Sequence, residues 1–96
     1  MDNLFFSWDE RKARANKRRH GVSFEEASTV FTDENARLIH DSEHSDEEDR
    51  FILLGFSAKA RVVTVVHAYR LDDSEIRIIS ARKADRHERE QYGSFL

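Results

Sequence analysis

Four side chains define the chemistry open to this sequence: Arg61, His67, Arg77 and Arg82. A guanidinium is a planar fork that grips two phosphate oxygens at once. Histidine titrates near neutrality and can take or give a proton. Cutting RNA without a metal needs a base for the 2′-hydroxyl, cations for the charge growing on the phosphorane oxygens, and an acid for the leaving 5′-oxygen. Arg61, Arg77 and Arg82 suit the cation role, and His67 suits proton transfer. On a strand, both residue types more often serve structure, so a salt-bridged, non-catalytic reading stands beside this one.

Other chemistries have weaker support. His40, Asp41 and His44 lie close together in an acidic segment, but zinc sites need three or four converging ligands at recognisable spacing, and no HExxH, paired CxxC or EF-hand loop is present. No metal and no cofactor are expected. There is no glycine-rich phosphate loop and no GxSxG elbow. The absence of cysteine excludes thiolate chemistry and disulfides.

The net charge of −3 disguises a segregated distribution. Residues 11–19, RKARANKRR, carry six bases and no acid, whereas residues 41–49, DSEHSDEED, carry six acids and no base. Arg77, Arg82, Lys83, Arg86 and Arg89 make the C-terminal stretch basic again. If the fold unites the basic ends, they form a local phosphate-binding surface; taken singly, each is a solvated helix face. The acidic run reads as a solvated loop. A second reading has Glu43–Asp49 masking the basic surface, so that amide replacements raise RNA binding.

These side chains must be positioned by one small domain, residues 1–96. Asp9 is a helix N-cap, Glu10 to His20 are helix formers, and Gly21 ends the run, with His20 structural beside it. Ser23-Phe24-Glu25-Glu26 is a capping-box signature opening a second helix. Strands are expected over Ala36–His40, Arg50–Phe56, Arg61–Arg70 and Glu75–Ala81, with Phe5–Trp8 as a short lead-in or edge strand. Short connections at Ser57–Ala60 and Leu71–Ser74 make the sheet antiparallel. Lys83–Gly93 closes the chain as a charged helix. The order implies an α+β fold: a twisted antiparallel sheet of about four strands, two N-terminal helices and one C-terminal helix, with the helices on one face. Trp8, Phe24 and Phe31 read as core anchors, leaving Tyr69 and Tyr92 the more accessible aromatics.

Alternation places Arg61, Val63, Val65, His67 and Tyr69 on one side of their strand. It sets Glu75, Arg77, Ile79 and Ala81 together on the next; strict alternation puts Arg82 opposite Arg77, but Arg82 lies just past the expected strand and is free to turn to either side. Arg61, His67 and Arg77 are expected toward the open side of the sheet, where the three arginines converge. Register is not fixed by sequence.

Four blocks resemble the BrnT toxin family: WDERKARANKRRHGVSFEEASTVF at Trp8–Phe31, DSEHSDEEDRF at Asp41–Phe51, ARVVTVVHAYR at Ala60–Arg70, and RIISARKADRHERE with Gln91-Tyr92 at Arg77–Tyr92. The resemblance covers almost the whole chain. It implies a RelE-like fold and an endoribonuclease activity that arrests growth. It also implies neutralisation by a ribbon–helix–helix antitoxin, through which alone the protein would meet DNA. Within the matching blocks Lys12 and Arg50 join Arg61, His67, Arg77 and Arg82 as positions for RNA contact or catalysis. The competing reading is a non-catalytic module paired with a transcriptional regulator. No apolar run approaches the roughly 20 residues that span a bilayer, and the start Met1-Asp2-Asn3-Leu4-Phe5-Phe6 lacks a signal-peptide pattern. A cytoplasmic protein without membrane contact is expected.

Overall fold

Asp9 accepts hydrogen bonds from the Arg11 and Lys12 amides and starts helix α1, Glu10–His20, which Gly21 ends at a left-handed φ of 73°. Ser23 caps α2, Phe24–Thr29, through the Glu26 amide, and a single 3-10 turn over Val30–Thr32 follows. The structure, a computed structural model, describes residues 4–94. Met1, Asp2 and Asn3, part of the start read above as free of a leader, lie outside the described residues.

The strands are β1 Phe5–Ser7, β2 Arg37–His40, β3 Phe51–Phe56, β4 Val62–Arg70 and β5 Glu75–Lys83. They form one sheet in the order β1-β5-β4-β3-β2. The α+β class is as read, but the sheet is five-stranded and mixed rather than about four-stranded and antiparallel. β1 lies parallel to β5, with Ser7 beside Arg77. A three-residue segment carries too little alternation to reveal a partner some seventy residues away.

Paired residues share a face of the sheet. Helices α1 and α2 cover the inner face, burying Ala13, Val22, Phe24 and Ala27 against Leu53, Val63, Val65, Ile78 and Ala81. Trp8 and Phe31 pack on this core as expected. β1 is too short to cover the far half of β5. There Asn16 of α1 substitutes for a strand, donating to the Ala81 carbonyl at 2.8 Å and accepting from its amide at 3.1 Å. Gly55 allows a close approach: a Cβ there would lie 2.8 Å from Val30 Cγ1 and 2.9 Å from Ala36 Cβ.

The third helix corrects a second expectation. α3, Arg86–Gly93, begins later than read because β5 runs on to Lys83 and Asp85 with Glu88 forms the capping box. It packs on the outer face, not beside α1 and α2, where Tyr92 joins Leu54, Ala84 and Val62. Tyr92 is therefore buried rather than accessible. Its hydroxyl donates to Asp33 at 2.6 Å, and burial, with that carboxylate, pushes the phenol up to about 12. One half of the outer face is thus covered and the other left open.

Candidate functional site

A bulge in β5 decides which face Arg82 takes relative to Arg77. β4 and β5 stay in register from Val63↔Lys83 to Val66↔Ser80, then resume at His67↔Ile78, leaving Ile79 as the extra residue. The extra residue inverts the alternation expected between Arg77 and Ala81. Arg77, opposite Ala68, and Arg82, opposite Thr64, therefore lie on the same outer face. They remain apart, since four residues of strand separate their partners by about 13 Å.

Near Arg77 the outer face carries a cationic hollow of about 110 Å³, lined by Asp9, Lys12, Glu48, Arg50, Arg70, Arg77, Ile78 and Ile79. Lys12 comes from the first turn of α1 and Arg70 from the end of β4. Extending the β3–β4 register by one step from Phe51↔His67 sets Arg50 opposite Ala68, in the row of Arg77. Lys12, Arg50 and Arg77 form no ion pair among the described residues, which leaves their charge available to an anion. Of the two carboxylates, Asp9 is occupied with capping α1, which holds its carboxyl below the ordinary range. Glu48 holds Arg70 at 2.9 and 3.3 Å, and the Arg70 hydrogen bonds lower its carboxyl, with Arg50 and Arg77 adding to the effect.

Of the six candidate residues, Lys12, Arg50 and Arg77 meet at this hollow; Arg61, His67 and Arg82 do not line it. Arg61 lies at the opposite end of β4, where its guanidinium clasps the buried Glu26 at 2.6 and 2.8 Å and the Gly21 carbonyl at 2.8 Å. Arg82 is forked onto Glu88 at 2.8 and 2.9 Å, fastening β5 to the start of α3. The expected convergence of Arg61, Arg77 and Arg82 is therefore corrected: buried or capping carboxylates capture two of the three. Arg70 is the residue that sequence reasoning missed. Its signal lay in the row spacing of β4, which needed the register at the β4–β5 turn to become legible.

His67 belongs to the inner face and is 0% exposed, so the expectation that it looks out from the open side is also corrected. Its ring meets Phe31 edge-on at 4.8 Å, and Nε2 lies 3.2 Å from the Tyr69 hydroxyl. Burial pulls it down from 6.5 to about 4. The ring packs among Phe31, Phe51 and Tyr69 and does not line the hollow. The folded protein resists a proton that the unfolded chain accepts. Stability should therefore fall as pH drops from about 6.5 and level off near 4, by a total of about 3 kcal/mol. Urea midpoints across this range should show the slope in the parent and a flatter one in His67→Phe. Equal slopes would refute the assignment.

The acidic segment leaves β2 through a 3-10 turn at Ser42–His44. Asp41, Glu43 and His44 bring potential ligand atoms within 4.8 Å of one another, but Asp41 and His44 already share a hydrogen bond at 3.0 Å and His40 turns to Asp49 at 3.1 Å.

The family described as "Ribonuclease toxin, BrnT, of type II toxin-antitoxin system" matches residues 8–88. Among solved structures, the crystal structure of the Brucella abortus ribonuclease toxin BrnT is similar, with a TM-score of 0.66 and 19% identity over 86% of this chain and 99% of that one. That level of identity speaks for the fold. No curated protein matches the chain.

Proposed function

The chain belongs to the BrnT family of ribonuclease toxins of type II toxin–antitoxin systems, and from that premise we propose that residues 1–96 act as one cytoplasmic, metal-independent endoribonuclease domain. The observation that carries the reading is the hollow in which Lys12, Arg50, Arg70 and Arg77 surround one small volume on the open half of the sheet. A scissile phosphate held there meets up to four positive charges fixed before the reaction begins. Charge developing on the phosphorane oxygens is where such groups accelerate phosphodiester cleavage most. The side chains come from α1, from the segment entering β3, and from β4 and β5. The sheet and α1 therefore set the spacing of Lys12, Arg70 and Arg77, and Arg50 stands where the chain enters β3.

The membership implies an antitoxin partner. We take it to be a ribbon–helix–helix protein that silences the toxin and supplies its only contact with DNA. No helix among the described residues is long and apolar enough to cross a membrane. The non-catalytic module keeps one supporting observation: the outer strand β2 exposes Leu38 and Ile39, a surface fitted to a protein partner.

Incubating the purified protein with RNA in EDTA tests the proposal. The expected result is internal cleavage leaving a 2′,3′-cyclic phosphate or its hydrolysis product. Cleavage that appears only on adding a divalent metal would remove the metal-independent mechanism. No cleavage under any condition, together with harmless expression in cells, would favour the binding module.

A further inference from the structure

An anion already occupies part of the cationic hollow, and it belongs to the protein. Glu48 presents both carboxylate oxygens to Arg70, Oε2 to Nη2 at 2.9 Å and Oε1 to Nε at 3.3 Å. This is the two-point grip that a phosphate would make. Arg50 and Arg77, from the same hollow, also act electrostatically on this carboxylate. Of the six acids in residues 41–49, Glu48 is the one that lines this hollow.

The loop that carries Glu48 is tied at its base and lightly held at its tip. The Asp41 amide donates to the Arg50 carbonyl at 2.8 Å, the Ser45 hydroxyl to the Asp41 carbonyl at 2.6 Å, and the Arg50 amide to Ser45 Oγ at 2.9 Å. Beyond Ser45, the side-chain hydrogen bonds of residues 46–49 among the described residues are Glu48 with Arg70 and Asp49 with His40. The Glu48 side chain is 36% exposed and that of Arg70 42%, so water reaches the pair and its rupture costs little. Once released, Arg70 still has the Glu75 carboxylate acting on it electrostatically. Glu75, opposite it on β5, already accepts a hydrogen bond from the Ser7 hydroxyl.

We propose that Glu48 is an internal competitor for the anion site: its carboxylate occupies Arg70 in place of a substrate phosphate, and an RNA phosphate binds by displacing it. The proposal rests on the reading that this hollow receives the RNA backbone. It gives the acidic loop a specific role, in one residue rather than in its summed charge. It also sets a threshold, because a ligand must outbid a tethered carboxylate before it gains the fourth cation.

The test is binding of a fluorescein-labelled DNA dodecamer, which lacks the 2′-hydroxyl and cannot be cut by this route, followed by anisotropy at low salt. Glu48→Gln should tighten binding about fivefold or more, while Glu47→Gln, the same charge change one residue away, should give less than about twofold. The gain should disappear in Glu48→Gln combined with Arg70→Ala. Urea midpoints establish that each variant is folded. Equal gains from the two amides would overturn the proposal in favour of diffuse loop charge. No gain from Glu48→Gln, with binding still weakened by Arg77→Ala, would overturn it while leaving the hollow as the phosphate site. If neither Glu48→Gln nor Arg77→Ala changes binding, the reading of the hollow fails and the proposal with it.

Discussion

Replacing Arg77 with alanine is expected to lower kcat/KM for RNA cleavage by about 10²-fold or more, with little loss of stability. The size follows from what the guanidinium does in the proposed mechanism. A fixed donor aimed at charge that develops in the transition state is worth about 10² to 10³ in rate when removed. Arg77 sits on β5, half-buried at the hollow, opposite the fully buried Ala68, so its backbone is held by the sheet on both sides. It forms no ion pair among the described residues, so no carboxylate is stranded by its removal, and the stability cost should stay near 0.5 kcal/mol. Arg18→Ala provides the charge-matched control, since Arg18 is exposed near the other end of α1, about 9 Å along the axis from Lys12. It should change the rate by less than about threefold. Initial rates on a labelled ribo-oligonucleotide decide the matter. An Arg77→Ala protein that cuts at the parental rate would move the site elsewhere.

Arg61→Ala should do the reverse, costing about 3 kcal/mol of stability through a contact that has nothing to do with RNA. Glu26 is 1% exposed at its side chain and receives two hydrogen bonds from Arg61 and one from Ser57. Removing Arg61 leaves a buried carboxylate with one donor, the situation that makes broken buried pairs cost about 3–5 kcal/mol. The lower end applies because the Arg61 side chain is 30% exposed and water can partly replace it. In a domain of this size, such a loss is a large share of the total. Glu26→Leu combined with Arg61→Met should recover most of the loss, because both charges then leave together. The pair also has a pH signature. The Arg61 hydrogen bonds hold the Glu26 carboxyl below its ordinary 4.5. Its contribution is therefore complete above that value and disappears as pH falls through the lower, folded one. Urea denaturation at pH 7 and at pH 3.5 should show the Arg61→Ala penalty shrinking on acidification. A penalty that is absent at pH 7 would contradict the structural role.

These two arginines also show why the sites were unequally legible. Both stand on or beside the central strands, both fall in motif blocks, and a one-dimensional reading gives them one role. What separates them is the nearest carboxylate. Glu26 was legible as a capping residue of α2, but nothing in the order of residues reveals that α2 turns it inward toward β4. His67 is a similar case. Alternation correctly grouped it with Val63, Val65 and Tyr69, but which face lay under the helices was a property of the packing.

The amino-acid sequence determined the local elements by itself: the caps at Asp9 and Ser23, the left-handed stop at Gly21, the β-branched central strand, the short turns, and the segregation of six acids from two basic segments. Each depends on neighbours within a few residues, where dihedral preference and side-chain period act directly. The family blocks were equally visible. Tertiary structure alone decided the parallel pairing of β1, the outer position of α3, the bulge at Ile79 that brings Arg82 to the face of Arg77, and the meeting of Lys12, Arg50, Arg70 and Arg77. Those outcomes turn on register, in which a single inserted residue exchanges one face of a strand for the other, and on the long-range burial that selects among registers.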